Sequence, residues 1–458
     1  MENFWHVRDK FNQTHFQKVP LEGVESLEKK IVLARKAFQG HKNTSAEVRS
    51  HWLKKMHEGL FNRKSEMVDI IVKEAGKPVS YAFSEVERSL TTLWWASEEI
   101  LRFGGECIPM DYGVGKGKTA FTKKFPRGPV FGIAPFNFPL NLAMHKIAPA
   151  VATGNAIIVK PSPFTPLSLR LLHEIANNAG LPEGIFQVVF CDNEGSEFLV
   201  EHDSINHLSF TGSPKVGWML KSKAGKKKVS LELGGNAGVL VDDTVDLEKT
   251  AKVLATGAYL YSGQICISTQ RIYAHKEIKI KLQELLLEEL SKLKCGDPAH
   301  EETILGPLID SHACERVLMW VKEAQEKGAT LLSGGDYFSQ EHNILYPILM
   351  TNTSPQMKIS CQEVFGPAAI IETVNSFEEG LTLINESAFG LQAGIFTEKI
   401  SRAKLAIESL DVGGIMINNV PGFRIDSMPY GGVKDSGLGR EGLKYSFEEM
   451  TESKLVVF

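Results

Sequence analysis

The chain has 458 residues, 43% of them hydrophobic and 23% charged, with a formal net charge of -4. At about 100–200 residues per domain, that length suits two to four domains and allows a large core. The near-neutral balance gives no electrostatic reason to expect nucleic acid or a membrane surface as a partner. No apolar run reaches the roughly 18 residues of a membrane span.

The amino-terminal MENFWHVRDKFNQTH lacks the basic-then-apolar layout of a signal peptide. Six cysteines stand at positions 107, 191, 266, 295, 314 and 361, with neither a CxxC pair nor a zinc-like spacing to histidine. Free thiols, a reducing, cytoplasmic location and no metal are therefore expected.

The first hundred or so residues read as helical. Leu27, Ile31, Leu33, Ala34, Ala37 and Phe38 recur at helical spacing, and residues 49–75 continue the pattern up to the break at Gly76-Lys77-Pro78. A further amphipathic segment covers 79–103, followed by a turn-rich ribbon over 104–117. From residue 128 short β-branched runs alternate with helical stretches: PVFGIA (129–134), AIIVK (156–160), IFQVVF (185–190), HLSF (207–210) and VSLEL (229–233). NAGVLV (236–241) opens a second series, with helices over 249–261 and 276–293 around RIYA (271–274). Such alternation argues for parallel sheets covered on both faces. Two α/β lobes meeting near residues 233–236 are expected.

Several segments carry candidate chemistry. Cys266 lies in YSGQICISTQR, after a Ser-Gly turn. Most free cysteines are small buried hydrophobes; here a glycine permits a sharp turn, and ICIST, if it opens a helix, would stabilise a thiolate by its dipole. Glu232, in LELGGN, ends a strand, where parallel sheets bind ligands, although such carboxylates are often simply solvated. Asn137, in PFNFP, follows a strand; it is either a helix cap or an amide donor aimed at an oxyanion. FTGSPKVG (210–217) has the strand–turn–helix form that cradles phosphate, and KPSPFTP places Lys160 at another strand end.

Taken together, in this order and spacing, PFNFP, KPSPFTP, FTGSPKVG, LELGGN, GQICIS, QEVFGP and MPYGGVKDSGLGREG resemble the aldehyde dehydrogenase superfamily over essentially the whole chain. The resemblance implies that family's α/β fold: a Rossmann-like cofactor domain (1–105 and 128–233), a catalytic domain (234–435), and a small bridging β element for oligomerisation (106–127 and 436–458). It implies NAD(P)-dependent oxidation of an aldehyde to the acid, with Cys266 as nucleophile, Asn137 as oxyanion donor, Glu232 as the base that activates water, and Lys146 and Glu441 beside the base. Ala134, Pro135, Phe136, Lys160, Ser162, Gly212, Ser213, Leu233, Glu363 and Phe365 match cofactor-binding positions. Pro163 stands where NAD-specific members often carry a ribose-binding glutamate, so use of NADP as well as NAD is expected. His145 and Arg424 are expected to line the substrate side and to favour a small polar or anionic aldehyde; the alternative for Arg424 is a plain ion pair with Asp426 or another acidic neighbour. Glu232 argues against a CoA-acylating relative, which generally lacks the base. Nucleophile and base together argue against a silent scaffold. The apolar β terminus LVVF wants a partner edge, so a homodimer or homotetramer is expected.

Overall fold

The computed structural model describes residues 4–458. Two mainly parallel sheets organise it. The first runs in the spatial order Gly437–Leu438, Lys228–Glu232, His207–Thr211, Val130–Ile133, Ile157–Lys160, Phe186–Val188, with only the Gly437–Leu438 edge antiparallel. The second has seven strands. Its order is Thr330–Ser333, Ile348–Thr351, Ala368–Val374, Thr269–His275, Ala237–Val241, Gln392–Phe396, Gly414–Ile417, and Thr330–Ser333 alone is antiparallel.

The strands read as uninterrupted apolar runs because helices cover both faces. Val24–His41 buries Leu27, Ile31, Ala34, Ala37 and Phe38, one stripe at helical period. Asn141–Thr153 is buried along its whole length. It ends where Gly154 adopts φ 87°, a left-handed cap suited to glycine.

The register positions the chemistry. Ile133 pairs with Lys160 and Phe210, and Thr211 with Glu232. The segments that follow Ile133 and Thr211 therefore emerge, with Lys160 and Glu232, along one carboxyl edge of the sheet, where open α/β sheets bind ligands. The chain passes from the first sheet to the second through Leu233, Gly234, Gly235 and Asn236. A Cβ on Gly234 would stand 2.3 Å from Glu363 Oε2, and one on Gly235 2.3 Å from the Cys266 carbonyl. The glycine pair is thus required by the close approach of two loops of the other lobe.

Three expectations need correction. The helical reading of the amino terminus misses an antiparallel pair, Phe4–Arg8 with His15–Pro20; both strands are short and laced with charge, which hides their alternation. Residues 436–458 do not act as one unit. Gly437–Leu438 joins the six-stranded sheet, and only Thr451–Val457 enters the ribbon sheet, beside Ala120–Pro126 and Cys107–Ile108. Third, no helix begins at Cys266: a 3-10 turn, Leu260–Gly263, precedes it and the strand Thr269–His275 follows, so no helix dipole reaches the thiol.

No helix among the described residues is long and apolar enough to cross a membrane. Among them no group of three or more His, Cys, Asp or Glu side chains is placed to hold a metal ion.

Candidate active site

A cavity of about 600 Å³ lies between the two sheets and is lined from both lobes. Cys266 reaches it from a loop held by strain and by buried hydrogen bonds. Tyr261, Ser262 and Gly263 all have positive φ (50°, 53° and 68°), a costly run kept only where surroundings over-determine it. Those surroundings are visible. Tyr261 Oη donates to the Ala75 carbonyl (3.0 Å), Ser262 Oγ to the Gly306 carbonyl (2.8 Å), and Gln264 Oε1 accepts from the Ile309 N–H (3.0 Å). Cys266 is half-buried, and burial pushes its thiol up to about 12, against a hydrogen bond from Tyr430 and the Arg424 charge.

Asn137 is buried and its Nδ2 donates to the Gln264 carbonyl at 2.8 Å, two residues before Cys266. Glu232 is 4% exposed, and neither carboxyl oxygen has a hydrogen-bond partner. Burial, reinforced by the charge of Glu441, raises its pKa well above the usual carboxylate range. Glu441 is held in the opposite direction: burial opposes ionisation, but the Lys146 and Arg424 charges keep the carboxyl ionised. Lys146 Nζ donates to Glu441 Oε1 (3.0 Å), Thr211 Oγ1 (2.7 Å) and Ser209 Oγ (3.2 Å). Two buried carboxyl groups with oppositely displaced affinities, one of them bonded to an ammonium, form an arrangement suited to handling protons.

The remaining sequence candidates divide. Ala134, Pro135 and Phe136 line the cavity, as do Lys160, Ser162 and Pro163 on one side, Gly212, Ser213 and Leu233 on another, and Glu363 with Phe365 opposite. His145 and Arg424 do not line it. His145 is 1% exposed, and its Nε2 is 2.8 Å from Asp426 Oδ1; Asp426 in turn accepts from Arg88 (2.7 Å), an arginine the sequence reading overlooked. Burial, and then the Arg424 charge, lowers the His145 pKa, so its ring favours the neutral form. Arg424 pairs not with Asp426 but with Glu441, at 3.4 Å, and lies over the Tyr430 ring, 3.6 Å from its centroid. Its Nε has no partner. Tyr430, Arg316 and Trp320 were also missed and line the cavity. Only Tyr430 carried a signal, its place inside the MPYGG stretch.

The cavity fits a dinucleotide. The helix Pro214–Lys223 starts there with no side chain capping its first turn, which suits a pyrophosphate. A Cβ on Gly212 would meet the Phe210 ring at 2.6 Å. Glu363, half-buried at the other end, receives the Gly235 N–H at 3.1 Å, and burial of its carboxyl pushes its pKa up to about 7.

A family model described as "Aldehyde dehydrogenase family" matches residues 2–456. The chain belongs to the aldehyde dehydrogenase family. It is 41% identical over 454 residues to a 3-sulfolactaldehyde dehydrogenase of Priestia aryabhattai, covering 98% of this chain and 94% of the relative. Among solved structures, aldehyde dehydrogenase 21 of Physcomitrella patens, in complex with the reaction product succinate, superposes with TM-score 0.97 at 38% identity, over 99% of this chain and 95% of that one. The glyceraldehyde-3-phosphate dehydrogenase GapN of Methanocaldococcus jannaschii, complexed with NADP, gives TM-score 0.95 at 36% identity, over 99% and 98%. This aldehyde dehydrogenase is accordingly an oxidoreductase that acts on aldehydes with NAD or NADP.

Proposed function

We propose that Cys266 is the nucleophile of this dehydrogenase and that its substrate is a short aldehyde carrying a hydroxyl or an anionic group. The thiolate adds to the aldehyde carbon, and the resulting oxyanion is received by the Asn137 amide and the Cys266 backbone N–H. When bound, NAD(P)+ would supply the two-electron acceptor for the hydride that leaves the carbon attached to Cys266, so that the acyl group remains on sulfur as a thioester. Glu232, once its proton has left, takes a proton from water, which attacks the thioester and returns Cys266 as the thiolate with release of the acid. Lys146 and Glu441 pass the proton onward from Glu232. Lys160 and Ser162 hold the adenosine ribose, Gly212 and Ser213 the pyrophosphate, and Glu363 and Phe365 the nicotinamide ribose and ring. On this reading residues up to 105 with 128–233 form the cofactor-binding unit and 234–435 the catalytic unit.

The observation that carries the substrate class is Arg424. It is a buried guanidinium, only loosely paired with Glu441, with an unpartnered Nε and a charge felt by both Cys266 and Glu232. It does not line the cavity, so it favours a substrate anion or hydroxyl there through its charge rather than by contact. The 3-sulfolactaldehyde dehydrogenase and the succinate complex among the relatives support the same class. The test is a panel of 3-sulfolactaldehyde, lactaldehyde, succinate semialdehyde and propanal, assayed with both cofactors. Arg424→Met should raise KM for the polar members selectively; propanal turned over as efficiently as the others would overturn the assignment.

Both cofactors are proposed to serve. Pro163 places no carboxylate against a 2′-phosphate beside Lys160, and Glu197, on the same cavity wall, is neutralised by Lys223 at 2.5 Å. A homodimer or homotetramer is proposed from Thr451–Val457, an edge strand of the ribbon sheet with Leu455 60% exposed. Light scattering that reports only the 50.7 kDa monomer would count against it. Six free thiols, Cys107 among them exposed, support a reducing cytoplasmic location.

A further inference from the structure

Cys266 needs help to ionise, and the fold supplies no helix dipole at this point. Two of the groups that face it, Glu363 and Glu232, oppose a thiolate, while Arg424 and Tyr430 favour one. Tyr430 faces Cys266, Arg424 and Glu232, and behind them Glu441 faces Lys146, His145 and Arg424. The Tyr430 hydroxyl stands 3.0 Å from Cys266 Sγ. Its position is fixed. The residue is 3% exposed, packs with Ile267 and Leu391, and exchanges two backbone hydrogen bonds with Glu441 (3.0 and 2.7 Å). The Arg424 guanidinium lies 3.6 Å from the ring centroid. A cation over a phenol ring draws electron density from it and makes its O–H a stronger donor.

We propose that Tyr430 is the hydrogen-bond donor that holds Cys266 Sγ as the reactive thiolate, and that Arg424, stacked on the Tyr430 ring, strengthens that bond. The inference rests on the reading of Cys266 as nucleophile. In it, the O–H of Tyr430 points at sulfur and keeps its proton throughout. Arg424 thereby acts on sulfur without touching it, from behind the residues that line the cavity.

The test titrates the thiol of the full-length enzyme without substrate. The rate of alkylation by iodoacetamide is followed against pH for the wild type and for Tyr430→Phe, which removes one oxygen and keeps the packed ring. The apparent thiol pKa should rise by about one unit, and alkylation at neutral pH should slow about tenfold, with the high-pH plateau retained. The acid limb of kcat/KM should move in the same direction, while cofactor Kd stays unchanged. Arg424→Met should shift the thiol titration the same way by a smaller amount, and less again when combined with Tyr430→Phe. Superimposable titrations of wild type and Tyr430→Phe, or a shift to lower pH, would overturn the proposal. Failure of the underlying reading shows separately, as retained turnover in Cys266→Ser.

Discussion

Asn137 Nδ2 donates to the carbonyl of Gln264 at 2.8 Å, tying the loop after the strand Val130–Ile133 to the loop that presents Cys266. The bond spends one N–H of the amide and fixes its plane; the other N–H remains for an oxyanion. Asn137→Ala should lower kcat by about 10²–10³, or roughly 2.7–4 kcal/mol, the usual loss for one such donor. Asn137→Asp should do worse, since a carboxylate would face both a carbonyl and the developing negative charge. Steady-state kinetics with unchanged cofactor binding would check this; a drop of less than about threefold would remove Asn137 from the oxyanion site.

Nucleophile and base separate in time. Cys266→Ala should abolish turnover and leave cofactor affinity largely intact. Glu232→Gln should release a burst of reduced cofactor and then stall as the thioester, visible by stopped flow and by the mass of the acylated protein. Because burial and Glu441 raise the Glu232 pKa, the deacylation step should accelerate with rising pH as that proton leaves. Normal steady turnover in Glu232→Gln would refute the assigned base.

Glu363 sets a pH dependence on cofactor binding. Its pKa in the fold is about 7, raised from 4.5 chiefly by burial. Above that value it is a carboxylate able to accept two ribose hydroxyls; as pH falls through about 7 it gains a proton and loses acceptor capacity. NADP affinity measured by calorimetry should therefore weaken between about pH 8 and about pH 6, and Glu363→Gln should flatten the curve. Equal slopes for the two proteins would show that another group governs binding.

Lys77 and Glu85 form an ion pair with side chains 0% exposed. Lys77 Nζ sits 3.6 Å from the Phe138 ring centroid, and Glu85 Oε1 accepts the N–H groups of Leu140 (2.9 Å) and Asn141 (3.0 Å). Glu85→Ala strands an ammonium and two amides in the core, so it should cost about 3–5 kcal/mol. The double replacement Lys77→Met with Glu85→Gln should recover part of this, since no charge is left unpaired. Denaturant midpoints decide; an Ala variant within about 1 kcal/mol of wild type would show that water relieves the charge.

Much of this is legible in the amino-acid sequence alone. Parallel strands buried on both faces announce themselves as apolar runs, and Glu232, Lys160 and Asn137 sit at or just beyond their ends, so the sheet edge could be read from the sequence. The region around Cys266 could not. ICIST leads into the strand Thr269–His275, and its β-branched residues favour that strand over the helix expected from the glycine turn. Long-range partners were equally hidden. Nothing local to Tyr430 reveals a sulfur 164 positions away, and an acidic partner for Arg424 is readable from the sequence, but not that Asp426 goes to His145 and Glu441 to Arg424.

The pairing of Gly437–Leu438 with Leu231 and Glu232 also bears on biosynthesis. Cys266 leaves the ribosome long before Tyr430, Glu441 and that closing strand, so a growing chain carries its sulfur with no neighbours to sharpen it. On the proposed role of Tyr430, a chain that ends before residue 430 lacks the donor that sharpens the thiol. The same topology demands sequence-distant pairing, which slows maturation.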